Sequence, residues 1–541
     1  MSNKDVIPLI VGPGDYVESA TSFCATASVT TFCHSVPNTS PRCYPLPMQW
    51  IASLTSRSSI ISPDDLNTPP EGADVVEVRL DLLPGTDVAA AVAASPLPVL
   101  ATFRSEAEGG QGSNDHEHRK AVLRTAVEGG AHLIDLEWSR DRELIHELGL
   151  PPERFVLSWH DTEGTPENLC AIASAMLAEP AALVKIVPTA ESLADLEQIL
   201  ALSTPLVTPE KRDRYRLIAF AMGSIGAPSR YLAPLLGAPI GFAAWSPDTP
   251  AAPGQQTAQR MIAAVGHLEG PPRRVFGVVG ADVSESLSPT LHGAAFAASG
   301  LPDVMLPISV PDPEDLANLF TPFGNSLFDR IGLSAHGWAV TTPYKIAAAE
   351  ISTDLAPRVR RAGAANTLLL KPNRIIAENT DADGVVGSLT AAGVNPAGTI
   401  ALVEGVGGAA RGAAVGLHLA GADVVLRSRD AAKTQRVAEA LGLAWCDPDD
   451  RAGAEILVNA TPLGRNDDDA LPFNQSEIEM AGAVVDMVYR DRKTALVRVA
   501  EEAGLVIVDG LMMLAYQGMA QFAAFTTTPP PRDEMLRSIG R

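Results

Sequence analysis

A chain of 541 residues, of which 46% are hydrophobic, is too long to fold around one compact core. We therefore predict about two to four domains. The formal net charge of -23, without any dense block of lysine and arginine, argues against a nucleic-acid partner and favours small metabolites as ligands. No apolar run reaches the roughly 20 residues of a membrane span, so we expect a cytoplasmic protein without a membrane partner. The sequence leaves the oligomeric state open.

Residues 1–46 are rich in serine, threonine and proline, and we treat them as an extension of unknown role. Cys24, Cys33, His34 and Cys43 lie too far apart for a standard zinc spacing, so no metal site is predicted there. The five cysteines of the chain are an odd set, and a chain of this length needs no disulfide staples, so we expect reduced thiols.

Residues 47–269 alternate strand-like and helix-like segments, which is typical of a parallel sheet covered by helices. Eight such units predict a (β/α)8 barrel, whose active site lies at the carboxyl ends of the strands. The strand-like segments are 50–54, 75–80, 98–103, 132–137, 155–159, 183–187, 216–221 and 239–243.

Charged side chains interrupt the apolar pattern of the second strand-like segment. Alternation along a strand places Glu77, Arg79 and Asp81 on the face opposite to the neighbouring valines and leucine, which is the barrel interior. Buried charges are costly unless they are paired or used on a ligand. A structural ion-pair cluster is the alternative to a binding role.

A lysine stands among four aliphatic residues in the segment 183–187. Burial would disfavour its charged form and make Lys185 a nucleophile toward a ketone, which is Schiff-base chemistry. The alternative is a lysine that reaches solvent from the strand end. His160, at the carboxyl end of the preceding strand, is the matching candidate for a general acid and base.

Six ordered motifs of residues 49–268 resemble type I 3-dehydroquinate dehydratase. They are Glu77-Val78-Arg79-Leu80-Asp81, Thr102-Phe103-Arg104 with Glu108-Gly109-Gly110, Ser158-Trp159-His160-Asp161, Val184-Lys185-Ile186, Met222-Gly223 with Ser229-Arg230, and Pro253-Gly254-Gln255. The resemblance implies that Lys185 forms an imine with the substrate and that His160 moves the proton. It also implies that Arg230 holds the substrate carboxylate, while the ring is positioned by Glu77, Arg79, Arg104 and Gln255. Ala251-Ala252 departs from the family, which often has a serine before the proline.

Two adjacent prolines at Pro271 and Pro272 break both helix and strand, and residues 270–274 are predicted to be a linker. Beyond it, Ser286 and Ser288 flank a helix start, where they could bind a carboxylate or, in the case of Ser288, simply cap the helix. Lys345 and Asp381 follow two separate strands and could share a proton beside a reducible carbonyl. A surface salt bridge is the alternative.

The segment 400–404 leads into Gly405-Val406-Gly407-Gly408 and a helix rich in small residues, a pattern that cradles a pyrophosphate. The next strand ends in Arg427-Ser428-Arg429 instead of the acidic residue that would bind a free ribose hydroxyl. Two guanidinium groups suit a 2′-phosphate, so NADP is the predicted cofactor.

Residues 275–525 resemble shikimate dehydrogenase. The resemblance rests on the segments after the linker described above and on residues 363–367, 459–464, 486–489 and 510–517. The resemblance implies that Lys345 and Asp381 are the catalytic pair. Substrate would be held by Ser286, Ser288, Thr341, Asn366 and Gln517. Cofactor would be held by Gly405, Gly407, Gly408, Arg427, Ser428, Arg429 and Thr461. Three departures stand out: Gly293 replaces a usual asparagine, Glu404 crowds the phosphate turn, and Asp430 would repel a phosphate if it turned inward.

The complete prediction is an α/β protein with an amino-terminal (β/α)8 barrel followed by a two-lobed dehydrogenase. Residues 275–383 form its substrate lobe, residues 384–510 its Rossmann-type NADP lobe, and residues 511–541 are helices that return to the substrate lobe. The order resembles the plant-type bifunctional enzymes of the shikimate pathway, which implies 3-dehydroquinate, 3-dehydroshikimate and shikimate as ligands. A quinate dehydrogenase half, a catalytically silent metabolite sensor, and a barrel aldolase joined to another dehydrogenase are the alternatives.

Overall fold

The computed structural model describes residues 48–55 and 66–541, apart from residues 206, 209, 253, 323, 325, 451, 452 and 491. The expectations for residues 1–46 and for Cys24, Cys33, His34 and Cys43 lie outside the described residues. In the described part, no helix is both long and apolar enough to cross a bilayer.

Eight parallel strands form the first sheet, and the predicted barrel is confirmed. The strands are β1 (Gln49–Leu54), β2 (Val75–Arg79), β3 (Val99–Thr102), β4 (Leu133–Glu137), β5 (Phe155–Asp161), β6 (Leu183–Pro188), β7 (Leu217–Ala219) and β8 (Ile240–Ala244). Their order is β7-β6-β5-β4-β3-β2-β1-β8, and no ladder joins β7 to β8 among the described residues, so the barrel is nearly closed. Its register sets Ser53 beside Glu77 and Ser158 beside Lys185, which brings polar side chains of successive strands together.

Helices lie in the connections between the parallel strands of the barrel, and one more helix follows the last strand. They span Val88–Ala94, His116–Glu128, Leu144–Glu147, Leu169–Leu177, Leu193–Leu202, Lys211–Arg214, Ala227–Leu235 and Ala258–Val265. Short 3-10 turns lie at Glu106–Glu108 and Pro152–Arg154. An apolar cluster that includes Ile51, Leu100, Ile218 and Phe242 fills the remaining interior.

The second sheet begins with β9 (Arg274–Gly280) and mixes parallel and antiparallel pairs. Arg274, which the sequence assigned to the linker, is thus the first residue of this strand. The other strands are β10 (Asp303–Ser309), β11 (Ala335–Val340), β12 (Asp354–Leu355), β13 (Thr367–Lys371) and β14 (Arg374–Glu378), in the order β10-β9-β11-β13-β14-β12. Its helices span Ser288–Ala298, Leu327–Arg330, Lys345–Ile351, Pro357–Ala362 and Asp381–Ala391, with a 3-10 turn at Pro313–Asn318.

The third sheet is wholly parallel and has the strand order of a dinucleotide-binding fold. It contains β15 (Ile400–Glu404), β16 (Asp423–Arg427), β17 (Ala444–Trp445), β18 (Ile456–Asn459), β19 (Ala483–Asp486) and β20 (Val506–Val508), in the order β17-β16-β15-β18-β19-β20. Its helices span Gly408–Leu419, Ala431–Leu441, Gln475–Met480 and Ala495–Glu502. The chain order reverses between β15 and β18, and ligands of such sheets bind at the carboxyl ends of these two strands.

Two carboxyl-terminal helices, Gly510–Thr526 and Arg532–Ser538, complete the chain. The longer one packs tightly on Asp381–Ala391, since a Cβ atom at Gly384 would lie 2.7 Å from the sulfur of Met513. This contact places Gln517 close to the start of the helix that Asp381 opens.

Candidate active sites

Lys185 lies in β6 inside the barrel, and only 6% of the residue is exposed. Its Nζ atom is 3.8 Å from the centre of the Phe242 ring. Burial lowers the pKa of Lys185 from 10.5 to about 8, although the negative charges of Glu77 and Asp135 oppose the shift. At neutral pH the neutral amine is therefore far more abundant than in an exposed lysine. The solvent-reaching alternative is wrong, because the side chain is enclosed.

His160 and Glu108 form a buried pair at the carboxyl end of β5. The Nδ1 atom of His160 lies 3.0 Å from Oε2 of Glu108, and the same oxygen accepts the backbone N–H of His160 at 3.1 Å. Burial, followed by the positive charges of Arg104 and Lys185, holds the pKa of His160 well below its usual range. Because Nδ1 is occupied by Glu108, the neutral ring has Nε2 available for a substrate proton.

Glu108 lies in one of the motifs named above, but no role was predicted for it from the sequence. It ends the 3-10 turn Glu106–Glu108 and is 4% exposed. Burial raises the pKa of Glu108 to about 8, with further contributions from Glu137 and Asp135 that Arg104 opposes. Glu108 and His160 together can thus hold one proton near neutral pH. The signal in the sequence was an acidic residue directly before Gly109-Gly110.

Arg230 lies buried on the helix Ala227–Leu235, and its guanidinium group stacks 4.6 Å from the centre of the Phe220 ring. Neither its Nε nor its Nη2 atom has a hydrogen-bond partner among the residues that the structure describes. Burial lowers the pKa of Arg230 to about 10. A buried cation with open donors is a binding site for an anion such as a carboxylate.

The remaining predicted barrel residues lie in one polar network at the carboxyl ends of β1 to β5. Glu77 accepts hydrogen bonds from Ser53 at 2.5 Å and from Thr102 at 2.8 Å. Burial alone would raise the pKa of Glu77, but the charges of Lys185 and Arg79 and these hydrogen bonds hold it below its usual value. Gln255 reaches the same group, with Nε2 3.4 Å from Oγ of Ser53.

Two predicted substrate-binding arginines are engaged with carboxylates of the barrel. Arg79 makes a two-pronged pair with Asp81 at 2.9 and 2.8 Å. Arg104 donates to Asp135 at 2.9 Å, to Glu108 at 3.2 Å and to Glu137 at 3.3 Å. Arg104 therefore balances the three carboxylates of Asp135, Glu108 and Glu137, of which Glu108 contacts His160, while Arg230 keeps its donors open.

Lys345 and Asp381 are in direct contact in the dehydrogenase half, with Nζ 2.6 Å from Oδ2. Each residue opens a helix, and they are 8% and 4% exposed. Asn366 donates from Nδ2 to Oδ1 of Asp381 at 3.1 Å and to Oε1 of Gln517 at 3.3 Å. Four predicted site residues thus meet in one buried cluster, and the surface salt bridge considered from the sequence is wrong.

The two predicted serines form a polar turn at the same edge of the second sheet as Thr341. Ser288 is the first residue of the helix Ser288–Ala298, and its backbone N–H donates to Oγ of Ser286 at 3.2 Å. The capping role considered for Ser288 is wrong, because Leu287 holds the cap position without a side-chain bond. Tyr489, in the segment that follows β19, lies close to Ser286. Tyr489 belongs to the stretch 486–489, but its proximity to Ser286 was not predicted from the sequence.

The glycine turn after β15 fits a pyrophosphate group. Gly405 has φ 118°, and a Cβ atom there would lie 2.9 Å from the carbonyl oxygen of Ala460. Gly408 opens the helix Gly408–Leu419, whose first N–H groups face the turn. A Cβ atom at Gly408 would lie 2.6 Å from Cβ of Lys345, so Lys345 packs directly on this turn. Thr461 follows β18 across the same crevice, where its hydroxyl donates to Asn459 at 2.7 Å.

The structure corrects the cofactor role predicted for Arg427. This side chain donates to Glu404 at 2.7 Å, to Glu477 at 2.6 and 3.3 Å, and to the backbone carbonyls of Asp450 and Pro472. These five bonds use every N–H group of the guanidinium, so none is left for a 2′-phosphate. Glu404 turns to Arg427 in the same network, away from the crowded position that the sequence suggested.

Arg429 and Asp430 retain positions compatible with a 2′-phosphate. Arg429 is exposed at the end of β16 and forms no ion pair with another described residue. Asp430 caps the helix Ala431–Leu441 by accepting the N–H of Lys433 at 2.9 Å, so its carboxylate is held at the helix start. Ser428 supports the same turn through a 2.7 Å contact between its hydroxyl and that of Thr434.

Family models match both halves of the chain. The model for type I 3-dehydroquinase matches residues 52–270, and the model for the shikimate dehydrogenase substrate binding domain matches residues 278–368. A bifunctional 3-dehydroquinate dehydratase/shikimate dehydrogenase of Arabidopsis thaliana, described as chloroplastic, is 30% identical over 493 residues. That match covers 85% of this chain and 79% of the relative.

Relatives of the second half alone are also found. A shikimate dehydrogenase (NADP(+)) of Acidiphilium cryptum is 37% identical over 271 residues, which are 49% of this chain and 95% of the relative. A crystal structure of shikimate 5-dehydrogenase from Thermus thermophilus with NADP(H) and shikimate has 33% identity and a TM-score of 0.44. It covers 49% of this chain and 97% of that chain. The length and identity of the Arabidopsis match show that this chain belongs to the family of bifunctional 3-dehydroquinate dehydratase/shikimate dehydrogenases.

Proposed function

We propose that the barrel dehydrates 3-dehydroquinate to 3-dehydroshikimate and that the second half reduces this product to shikimate with NADPH. The observation that carries the proposal is the pairing of two buried lysine sites in one chain. Lys185 has a pKa of about 8 inside the barrel, and Lys345 contacts Asp381 in the dehydrogenase half.

In the barrel, the neutral amine of Lys185 attacks the substrate ketone, and loss of water gives an imine. The imine withdraws electrons and acidifies the adjacent C–H bond. Nε2 of His160 takes that proton, and the His160–Glu108 pair then protonates the hydroxyl that leaves as water. Hydrolysis of the product imine returns the amine. Arg230 binds the substrate carboxylate, since its donors have no protein partner among the described residues.

In the second half, the residues present fit a phosphorylated dinucleotide. The glycine turn admits the pyrophosphate, and Arg429 is the cation available for a 2′-phosphate. When bound, NADPH supplies the hydride for the ketone. Ser286 and Ser288 bind the substrate carboxylate, and the Lys345–Asp381 pair supplies the proton to the carbonyl oxygen.

Borohydride reduction in the presence of 3-dehydroquinate tests the barrel chemistry directly. Reduction of the imine should fix substrate mass on the peptide that contains Lys185. Lys185→Met is the matched control, since it keeps the length of the side chain and removes the amine. Folded wild-type protein without an adduct would refute the imine mechanism.

A further inference from the structure

The barrel and the substrate lobe are in close backbone contact. The helix Ala258–Val265 of the barrel packs on the helix Ser288–Ala298 of the dehydrogenase half. A Cβ atom at Gly293 would lie 2.4 Å from the carbonyl oxygen of Ala263 and 2.6 Å from Cα of Ala264. Gly293 stands where the dehydrogenase family usually has an asparagine, and no such side chain fits against the barrel helix.

Two neighbouring glutamines of the barrel face different halves of the molecule. Gln256 and Thr257 run in extended form beside the end of β8. Ala244 of β8 pairs with Thr257, and the N–H of Ala244 donates to the carbonyl of Gln256. Successive side chains of extended backbone point in opposite directions. Gln255 points to Ser53 in the barrel site, whereas Gln256 points to the dehydrogenase half.

Gln256 is buried, at 7% exposure, and its Nε2 atom donates to the backbone carbonyl of Ser284 at 3.0 Å. Its Oε1 atom accepts from Arg260 at 2.9 Å, which fixes the orientation of the amide group. Ser284 lies two residues before Ser286, and Asp282 braces it by accepting both its N–H and its hydroxyl. The barrel therefore supplies one of the hydrogen bonds that hold the serine turn.

We propose that Gln256 is a positioning residue of the dehydrogenase reaction, which it serves from the barrel domain. By holding the carbonyl of Ser284, it fixes the turn whose Ser286 and Ser288 hydroxyls receive the substrate carboxylate. The inference rests on the proposed function of the second half, because it assigns those hydroxyls to substrate. It goes further by making the dehydrogenase site dependent on a barrel side chain.

The test uses two variants of the full chain, Gln256→Glu and Gln256→Met. A carboxylate cannot donate to the Ser284 carbonyl, and a methionine of similar size offers no donor, so each leaves that carbonyl unpaired. The KM for 3-dehydroshikimate should rise about five- to thirty-fold, while kcat changes less than about two-fold because the Lys345–Asp381 pair is intact. The KM for NADPH should not change.

Gln198 offers a matched control within the barrel, since its Nε2 atom donates to the backbone carbonyl of Pro166 at 3.2 Å. Gln198→Glu and Gln198→Met should leave the KM for 3-dehydroshikimate unchanged. A double-mutant cycle separates positioning from general destabilisation: if Gln256 acts through the serine turn, Gln256→Met should cost much less in a Ser286→Ala background.

An active wild type with unchanged KM in both Gln256 variants would overturn this inference alone. Additive effects of Gln256→Met and Ser286→Ala would overturn it as well, and so would an equal rise of KM in the Gln198 controls. A wild-type chain that failed to reduce 3-dehydroshikimate would overturn the proposed function together with this inference.

Discussion

Arg427 and Arg429 should behave oppositely on substitution, because one is buried in a carboxylate network and the other is exposed. The side chains of Arg427, Glu404 and Glu477 are 6%, 13% and 6% exposed. The two carboxylates hold the pKa of Arg427 above its usual value against the opposing effect of burial. Removal of the guanidinium leaves both carboxylates buried without a positive partner, and breaking a buried ion pair in this way costs about 3–5 kcal/mol.

Arg427→Leu should therefore lower the free energy of unfolding of the cofactor lobe by about 3–5 kcal/mol, as measured by urea denaturation. Arg427→Lys, which keeps the charge, should be folded and should retain the wild-type ratio of kcat/KM for NADPH over NADH. Arg429→Ala should be as stable as wild type. Its KM for NADPH should rise about 10- to 150-fold, because hydrogen bonds to a charged group are worth about 1.5–3 kcal/mol of binding free energy. Its KM for NADH should not change.

The assays are urea unfolding and initial rates with 3-dehydroshikimate and each cofactor. The reasoning would be refuted if Arg427→Lys kept its stability but lost its preference for NADPH. It would also fail if Arg429→Ala affected both cofactors equally.

Three further substitutions or conditions test the two catalytic centres. At pH 7, a lysine with a pKa of about 8 is neutral about 300 times more often than a lysine with a pKa of 10.5. The dehydratase kcat/KM should therefore rise with pH and level off above about pH 8. A kcat/KM that stays constant between pH 6 and 8 would contradict this. Arg230→Met should raise the KM for 3-dehydroquinate at least about 100-fold and yet stabilise the barrel. Burial lowers the guanidinium pKa from 12.5 to about 10, which means that keeping this group charged costs the folded barrel about 3 kcal/mol. A lower melting temperature of the variant would count against an unpaired cation. Lys345→Ala should reduce kcat for 3-dehydroshikimate by a factor of about 10²–10⁴. The affinity for NADPH, measured by fluorescence titration, should change only a few-fold. An unchanged kcat would show that Lys345 takes no part in the chemistry.

The barrel and its lysine were predictable because they depend on local sequence. Regular alternation of strands and helices predicted the eight-stranded sheet, and an amine among four aliphatic residues predicted the buried Lys185. The same holds for Lys345 and Asp381, which follow strand ends and meet at one sheet edge.

Contacts between distant residues were not predictable in this way. Arg427 looked like a phosphate ligand because Glu477, its partner, comes 50 residues later on a separate helix. Glu108 and His160 are 52 residues apart, and their distance depends on how the loop after β3 folds back over the barrel mouth. The contact of Gln256 with Ser284 exists only because the two domains dock through the helix that contains Gly293.

Oxidation of NADPH by the purified 541-residue chain, given 3-dehydroquinate as the sole substrate, tests the central claim most directly. The account predicts oxidation with 3-dehydroquinate and with 3-dehydroshikimate, and loss of the former alone in Lys185→Met. Oxidation with 3-dehydroshikimate but not with 3-dehydroquinate in the wild type would contradict a working barrel, and no oxidation with either would contradict the whole account.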